Sequence, residues 1–501
     1  MLSLSIAHII GIVATMALLL AIGVVSGRKV KDGRSFATGG KAGSWMVCGT
    51  IMGTLVGGQS TIGTAQMAFC YGYSAWWFTI GTALGTLVLA LRYVGPLRRS
   101  GCTTLTEIVG REYGSRAESI GSVLCVAGIF ISIVAQILSS GAMMTSLFGM
   151  SLFWAAIVSA LFILLFVLFG GIKSAGAGGI VKMVLLYLSS IVAGAVVFGL
   201  SGGLSGLNQS VASVFECQPL AEANGICSAE AVHDRYNSLV ARGAFKDIGA
   251  ALSLILGVLS TQTYAQAVWS ACSDRAARRG AMLCVFLTPF IGAACTLVGL
   301  FMRAHYVTES EMAWLAGTGL GLPAGMGVIE SAAQAFPSFI MNHLPAWLGG
   351  IMLGTLFVTI LGGGSGLALG AATIMVEALG GRKGKSNPSK AAYRGGISLL
   401  LLIAVVVALS VHETFINDLG FLSLGLRATA LLFPLCCALF FPKRFARNWA
   451  IGSMVVGTVV MLVAYCLSFP LDPSYWGIFA GLIVMLCGIR RKRQAPEKST
   501  I

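Results

Sequence analysis

Long apolar runs follow one another along the whole chain of 501 residues. A helix needs about 20 apolar residues to cross a hydrocarbon core of roughly 30 Å, and runs of that length recur about thirteen times. They lack the strict alternation of polar and apolar positions that marks the strands of a membrane barrel, so they predict helices. The predicted spans are 8–26, 45–70, 74–97, 119–148, 151–170, 175–200, 247–271, 280–302, 346–376, 395–411, 418–441, 449–468 and 473–489.

Composition agrees with an all-α integral membrane protein. Hydrophobic residues make up 56% of the chain and charged residues 10%, and the mean hydropathy is +0.88, values far from those of soluble domains. The longest stretches between predicted spans, 201–246 and 303–345, are too short for a soluble catalytic or output domain. The five histidines lie at span ends or in loops, so the spans lack the group of titratable residues that an enzyme would need. We therefore expect no enzymatic activity.

Lys and Arg residues concentrate in alternate loops, as the positive-inside rule describes. No Lys or Arg precedes Arg28, so the first run is expected to remain as a span, without the basic leader of a secretory signal. The pattern places the N-terminus outside a cell (inner or plasma) membrane and the tail 490–501 in the cytoplasm. The formal net charge of +15 then follows from topology and does not indicate a nucleic-acid partner. Cys217 and Cys227 fall in a loop predicted to be external, where a disulfide and two free thiols are the alternatives.

Two predicted spans carry glycine or polar residues at mid-length. The span 45–70 contains Gly57-Gly58-Gln59-Ser60, and the span 247–271 contains Ser260-Thr261-Gln262-Thr263. Interrupted helices at matching positions are typical of secondary transporters built from two inverted repeats. Each interrupted span begins a block of five spans, and an odd number of spans inverts the second block. We therefore predict one transmembrane transporter domain over 1–501, with repeats at 45–200 and 247–441, an extra helix at 8–26 and two extra helices at 449–489.

Four motifs give the chain a resemblance to a known family. They are GGQSTIGTAQMAFCYGYSAWWF (57–78), LRRSGCTTLTEIVGREYG (97–114), FGGIKSAGAGGIVK (169–182) and QTYAQAVWSACSDRAARRG (262–280). Together they resemble the sodium:solute symporter family, the group of the proline, galactose and sialic-acid transporters, which share the leucine-transporter-like inverted-repeat fold. The resemblance implies a substrate held between the two broken helices. It also implies a metal site for sodium, made by backbone carbonyls, here of Met52 and Leu55, together with hydroxyls of the ninth span.

The hydroxyl half of this sodium site departs from the family pattern. Gly362 and Gly363 occupy the positions of the usual hydroxyl pair, with Ser365 and Thr359 as the nearest hydroxyls. Sodium is a hard cation that needs several oxygen ligands, so the loss of two hydroxyls weakens the site unless one of these neighbours substitutes.

The sixth span departs as well. Gly179 stands where many members have an acidic residue, and Lys182 follows three residues later on the same helix face. In some sodium-independent relatives of this fold, a lysine of the corresponding helix occupies the sodium position. One hypothesis is therefore that the Lys182 ammonium replaces the coupling cation, as a fixed charge or as a titrating proton carrier. The alternative is that its side chain extends along the helix to the lipid headgroups.

A second cation, Arg427, lies about eight residues into its span, roughly 12 Å deep at 1.5 Å per residue. An arginine inside a membrane usually faces the bundle interior or an aqueous cavity and pairs with an anion. Arg427 is therefore predicted to bind a carboxylate or sulfonate of the substrate, the alternative being contact with helix-end carbonyls.

Uncharged polar residues of the spans complete the predicted substrate site: Gln59, Gln136, Thr261 and Gln262. By resemblance, Gln59 matches a substrate-contacting Gln of the galactose transporter, whereas Thr261 falls where that transporter has a sugar-binding Asn, which argues against the same sugar. For Gln136 the alternative is a hydrogen bond between helices.

These patterns predict a sodium:solute symporter that imports a small polar solute, an organic anion or zwitterion, by alternating access. The expected partners are this small-molecule substrate, a coupling cation (sodium or proton) and the lipid bilayer; apart from a bound sodium ion, no cofactor is expected. The alternative is a sodium-independent, proton-coupled carrier or exchanger in which Lys182 replaces sodium. A channel is more remote because the pair of broken helices is typical of a carrier, and a transport-derived sensor is more remote because it would normally need an output domain.

Overall fold

The computed structural model describes residues 4–27, 41–168, 171–319, 321–323, 325–380, 389–411, 414–469 and 471–489. The predicted cytoplasmic tail, most of the predicted cytoplasmic loop 27–44 and part of the predicted cytoplasmic loop 377–394 lie outside this part of the chain. Almost all of the described residues are helical. The helices are α1 (Ile6–Gly27), α2 (Ser44–Leu55), α3 (Thr64–Tyr71), α4 (Trp77–Val88), α5 (Val94–Ser100), α6 (Leu105–Tyr113), α7 (Ser115–Phe148), α8 (Leu152–Leu168), α9 (Gly171–Ser201), α10 (Gly203–Val214), α11 (Gln218–Ala223), α12 (Ala229–Tyr236), α13 (Ala244–Leu259), α14 (Gln262–Ser270), α15 (Asp274–His305), α16 (Glu309–Gly317), α17 (Ala335–His343), α18 (Ala346–Gly380), α19 (Lys390–Ser410), α20 (Ile416–Phe440), α21 (Arg447–Cys466) and α22 (Pro473–Cys487).

Short irregular elements connect some of these helices. Two π-helical turns (Gln59–Gly63 and Leu89–Tyr93) and two 3₁₀ turns (Gly72–Trp76 and Ala332–Gln334) join or precede them. Strands β1 (Tyr306–Thr308) and β2 (Gly327–Ile329) pair in parallel, with Val307 opposite Val328.

The prediction of an all-α membrane protein is confirmed. Among the described residues, 9 helices are long and apolar enough to cross a membrane, or 10 if the bent pair α13–α14 counts as one span. The predicted spans 45–70, 151–170 and 473–489 correspond in part to apolar helices of only 10–17 residues: α2, α8 and α22. The count of about thirteen spans therefore stays a prediction.

Both predicted interruptions are breaks in helices. Helix α2 ends at Leu55, Val56 is extended, and a π-helical turn follows before α3 begins. Helix α13 ends at Leu259, Thr261 is extended, and α14 continues at an angle of 42°. Irregular backbone at membrane depth is tolerated where other protein groups satisfy its polar atoms, so the contacts at these two breaks define where a site can form.

The packing of the two five-span blocks is consistent with the predicted inverted repeat. Helix α9 packs against α2, and its counterpart α20 packs against α13. Helix α15 contacts α2 and α3, and α13 contacts α4; α9 contacts α18, and α20 contacts α7. Each contact between two helices thus has an equivalent contact in which each helix is replaced by its counterpart from the other block. The repeat itself and its boundaries stay predictions.

Glycines bring α9 unusually close to α2. A Cβ atom at Gly179 would lie 1.9 Å from the backbone oxygen of Gly49, and one at Gly49 would lie 2.6 Å from the oxygen of Gly176. No acidic side chain fits at position 179, because the backbone of α2 occupies that space. This close contact places the next turn of α9, which carries Lys182, against the end of α2.

We expect Gly179→Ala to destabilise the protein by about 1–3 kcal/mol, because overpacking against backbone cannot be relieved by a side-chain rotation. The matched control is Gly194→Ala on the same helix, where a Cβ would meet nothing within 4 Å. Melting temperatures of both variants in detergent measure the difference. Equal melting temperatures would show that the two helices can separate without cost.

A polar and aromatic cluster ties the long loop 201–246 to the ends of α3 and α15. The Arg303 guanidinium lies between the rings of Phe69 (4.9 Å) and Phe215 (5.0 Å) and donates to both carboxylate oxygens of Glu311, at 2.8 and 3.0 Å. Burial by itself raises the pKa of Glu311, but the Arg303 charge and hydrogen bonds from Thr308 and the Asn224 side chain outweigh it and hold the pKa below its ordinary value.

This depressed pKa makes the cluster sensitive to acid. The Glu311 carboxylate contributes its full stability above the ordinary pKa of 4.5, and the contribution is lost as the pH falls through the depressed value. We expect Glu311→Gln to cost about 3 kcal/mol at neutral pH, because Arg303 would remain buried without its anion. Thermal melts of both proteins between pH 7 and pH 3 should converge at the acid end; a constant difference would refute this account.

Candidate functional site

Side chains satisfy the backbone at the first break. The Gln136 side chain on α7 accepts a hydrogen bond from the Gly58 amide at 2.7 Å, and the Thr61 hydroxyl donates to the Gly57 carbonyl at 3.0 Å. A Cβ at Gly57 would lie 2.5 Å from the Gln136 amide nitrogen, so glycine is needed for this approach. The structure thus places Gln136 in a hydrogen bond between helices, the alternative named for it above.

The two carbonyls expected to bind sodium are engaged within the chain. The Met52 carbonyl accepts from the Val56 amide at 3.0 Å, and the Leu55 carbonyl accepts from the Ser60 hydroxyl at 3.0 Å. Carbonyl oxygens have two lone pairs, so a second ligand is not excluded by these bonds. The carbonyl of Gly53, which lies between them in the chain, accepts a hydrogen bond from a side chain of another helix.

Lys182 reaches that carbonyl. Its Nζ donates to the Gly53 oxygen at 2.7 Å and to the Thr359 oxygen on α18 at 2.9 Å, and the residue is 3% exposed. The ammonium therefore joins the end of α2, α9 and α18, which is where the resemblance locates the sodium ion. In this structure the side chain points into the bundle, not along the helix toward its end.

A cavity of about 40 Å³ adjoins the lysine, enough for roughly three waters. Its lining includes Gly53, Gly179, Lys182, Gly362 and Ser365. A Cβ at Gly362 would lie 3.5 Å from Nζ, so the absence of a side chain there leaves room beside the ammonium.

The Ser365 and Thr359 hydroxyls, which were expected to lie near the sodium site, do not bind the Lys182 ammonium directly. Ser365 donates to the Gly362 carbonyl of its own helix at 2.9 Å, and the Thr359 hydroxyl is buried without a hydrogen-bond partner. Gly363 packs against the first break, where its Cβ would lie 3.0 Å from the Cα of Gly57. Gly363 therefore belongs to the contact between α18 and the first break.

Arg427 lies at the second break. Its guanidinium donates to the Thr261 hydroxyl at 2.9 Å, to the Ser132 hydroxyl on α7 at 2.8 Å, and to the hydroxyl and carbonyl of Ser423 at 2.7 and 3.1 Å. These contacts use four of its five N–H groups. The residue is 1% exposed, so the charge is held inside the bundle at the junction of α7, α20 and the α13–α14 break.

All four of these partners are neutral. Ion pairs of the described residues include those of Arg98, Arg111, His233, Arg242 and Arg303, whereas Arg427 has no carboxylate partner among the described residues. A buried charge without an opposite charge is costly even when it is hydrogen-bonded. The arrangement therefore provides a strong electrostatic attraction for an anion that reaches the break.

The other three predicted substrate residues differ in their hydrogen bonds. Gln262 is occupied, because its amide accepts from the Leu105 amide and donates to the Thr103 carbonyl, both at 2.9 Å. Thr261 belongs to the Arg427 cluster. Gln59 is 6% exposed and its amide nitrogen has no hydrogen-bond partner, so it has a donor to offer.

Sequence reasoning missed Ser132 and Ser423, which complete the Arg427 cluster. Serines are common in transmembrane helices, and neither position is distinctive by itself. A signal was available in spacing: Ser132 precedes Gln136 by four residues and Ser423 precedes Arg427 by four, so each pair shares a helix face.

The sequence left open whether Cys217 and Cys227 form a disulfide. In this structure both are free thiols.

Comparisons with known proteins agree with this architecture. The chain is 25% identical over 482 residues to the uncharacterized symporter YwcA of Bacillus subtilis (strain 168), covering 94% of this chain and 87% of that protein. It is 22% identical over 453 residues to the high affinity choline transporter 1 of Homo sapiens, covering 86% of this chain and 73% of that protein.

Solved structures with the same fold are also transporters. A Na⁺-coupled sialic acid symporter superposes with a TM-score of 0.73 at 16% identity, covering 97% of both chains. Mhp1, a nucleobase-cation-symport-1 family transporter, gives a TM-score of 0.51 at 14% identity, covering 92% of this chain and 93% of that one. At these identities the likeness concerns the fold alone. The family model described as the sodium:solute symporter family matches residues 36–457, so this multi-pass membrane protein belongs to that family of secondary transporters.

Proposed function

We propose that the protein imports a small organic anion by alternating access, with the carboxylate or sulfonate bound at Arg427. The observation that carries this proposal is the buried Arg427 guanidinium at the second break, held by hydroxyls and facing no carboxylate among the described residues. A planar guanidinium binds a carboxylate through two parallel hydrogen bonds. Because four of the five N–H groups are already engaged, an incoming carboxylate would displace at least one of the hydroxyl contacts. The displaced serine or threonine hydroxyl could then rotate and donate to a carboxylate oxygen.

The same charge argues against a cationic solute. Choline, the solute named for the human relative, is a cation and would be repelled by Arg427. The acid named for the structural neighbour is compatible with an arginine, although the likeness to that structure supports the fold alone. A zwitterion remains compatible, because its carboxylate could bind Arg427 while its amine lies elsewhere.

A specific observation favours a proton over sodium as the coupling ion. The Lys182 ammonium lies 2.7 Å from the Gly53 oxygen and 2.9 Å from the Thr359 oxygen, where a cation would otherwise join the broken helix to α18. A sodium ion at that point would sit beside a like charge and lack the hydroxyl pair that Gly362 and Gly363 replace. This supports a carrier in which Lys182 substitutes for sodium and exchanges a proton through the adjoining cavity.

Uptake into proteoliposomes tests both parts of the proposal. Purified protein is reconstituted, and a labelled short carboxylic acid is supplied with a sodium gradient or a pH gradient imposed separately. Accumulation against the concentration gradient is expected under the pH gradient and not under the sodium gradient alone. Transport of neutral or cationic solutes, with every carboxylic acid refused, would refute the anion proposal; accumulation driven by sodium alone would refute the lysine substitution.

A further inference from the structure

Two glutamates lie side by side in the segment 303–345, on the side of the membrane predicted to be external. Strands β1 and β2 pair in parallel, and their last paired residues are Thr308 and Ile329. Glu309 and Glu330 follow them directly, at a point where neighbouring strands lie about 4.8 Å apart. Both glutamates are exposed, and neither forms an ion pair with a described residue. Adjacent like charges destabilise a strand pair, so this end of the pair carries uncompensated negative charge.

Both glutamates line a cavity of about 460 Å³. Another wall of this cavity is formed by residues 145–148, the last turn of the 34-residue helix α7, together with Gly149. The last carbonyls of a helix lack intrahelical donors and carry a partial negative charge, which attracts cations. The described residues that line the cavity include no Lys, Arg or His. The charges of its walls therefore favour a cation.

A third wall of the cavity is one face of α17 and the 3₁₀ turn before it. Gln334, Ser338 and Asn342 line the cavity and follow one another at intervals of four residues. The Gln334 amide nitrogen donates to the Glu330 carboxylate at 2.5 Å. The Asn342 amide nitrogen donates to the Tyr306 hydroxyl at 2.9 Å. Because the nitrogen of each amide is the atom so engaged, its oxygen is the atom that can accept a further contact.

The Ser338 hydroxyl lies in this third wall without a hydrogen-bond partner. The residue is 1% exposed, so water outside the cavity does not reach its oxygen. The Ser146 hydroxyl, in the α7 wall, is also buried and unpaired. Buried hydroxyls in natural structures are usually satisfied. A hydrated cation would satisfy both hydroxyls and both carboxylates at once, since each offers oxygen lone pairs.

We propose that this cavity, lined by Glu309, Glu330, Gln334, Ser338 and the end of α7, is an external binding site for a divalent cation of the calcium type. Ca²⁺ takes about 6–8 oxygen ligands in flexible geometry, from carboxylates, amide and backbone carbonyls and water. Mg²⁺ gives up its own waters reluctantly, and Na⁺ has half the charge, so both should bind more weakly between two carboxylates. Extracellular calcium sites bind with a Kd of about 0.1–1 mM.

A cation at this position would join three parts of the fold. Glu309 and Glu330 belong to the segment 303–345, and the third wall belongs to α17, which contacts the π-helical turn Gln59–Gly63. Helix α7 supports the same break through Gln136. The bound cation would thus hold the outer segment against α7 next to the first break. A ligand that binds only the folded state raises the melting temperature, so calcium is expected to stabilise the protein.

Calcium titration of the purified protein in detergent, at constant sodium chloride, tests this site. The melting temperature is expected to rise with half-saturation at a Ca²⁺ concentration of about 1 mM, and equilibrium dialysis with radioactive calcium should give a similar Kd. In Glu330→Gln the Kd should rise about tenfold or more, because the affinity of such sites depends on the charge of their ligands. Ser338→Ala removes a neutral ligand and should weaken binding less. The matched control is Glu230→Gln, which removes an exposed glutamate of α12 and should bind calcium as the wild type does.

Dialysis keeps binding apart from folding, because it reports calcium affinity even if Glu330→Gln melts at a lower temperature without calcium. Wild-type protein that binds no calcium at about 10 mM, well above the expected Kd, would refute the site. So would a Kd of Glu330→Gln equal to that of the wild type. An equal rise in melting temperature with Mg²⁺ would show screening of surface charge and would overturn the assignment to calcium. None of these outcomes depends on the transported solute, so the site stands or falls separately from the anion proposal.

Discussion

Arg427→Gln is expected to raise the KM for a transported carboxylate about 100-fold, because truncating one partner of a buried charge-assisted contact costs about 2–5 kcal/mol. Glutamine keeps hydrogen-bonding capacity toward Thr261 and Ser132 but removes the positive charge that attracts the anion. Uptake of a labelled acid into proteoliposomes, measured over a range of concentrations, gives the KM directly.

Two further variants make this result specific. Arg427→Lys keeps the charge and loses the planar fork, so its KM should lie between those of the wild type and Arg427→Gln. Arg116→Gln removes an exposed arginine at the start of α7 and serves as the control for surface charge. If Arg427→Gln binds anions as tightly as the wild type does, Arg427 has no role in substrate recognition.

Lys182→Ala should abolish uptake driven by a pH gradient, leaving the background of empty liposomes. Without the ammonium, the Gly53 and Thr359 carbonyls lose the cation that joins α2 to α18. The space vacated next to Gly362 could then admit an external cation, so sodium is expected to restore part of the uptake. The measurement is uptake under separate sodium and pH gradients.

One outcome of this experiment would contradict a role of Lys182 in coupling. Sodium-driven uptake in the wild type that persists unchanged in Lys182→Ala would show that the ammonium takes no part in coupling. The matched control is Lys246→Ala, which removes an exposed lysine in the first turn of α13. Its response to both gradients should equal that of the wild type.

Much of the fold was predictable because the bilayer restricts what a chain can do. Twenty apolar residues are required for each crossing, and an interrupted helix is tolerated only at a protected site. The breaks after Leu55 and after Leu259 therefore appear in the sequence as Gly57-Gly58 and as Ser260-Thr261. Lys182 and Arg427 were identifiable for the same reason, since a charge inside a predicted span is rare.

The roles of the amides were not predictable in this way. Gln59, Gln136 and Gln262 are equivalent as sequence features, each an amide in an apolar run. In the structure Gln136 supports the Gly58 amide, Gln262 connects to Thr103 and Leu105, and Gln59 keeps an unpaired donor. The difference arises from partners that lie 78 to 159 residues away along the chain, a distance that no local pattern encodes.

A helical membrane transporter with two broken helices and two intramembrane cations was predictable, because apolar length and charge placement are local properties of the chain. The position of Lys182 between the carbonyls of Gly53 and Thr359, the hydroxyls around Arg427 and the burial of Asn417 without a partner became visible only in the folded chain. Those properties depend on which helices pack together and how closely glycines let them approach, and they arise only when the chain is folded.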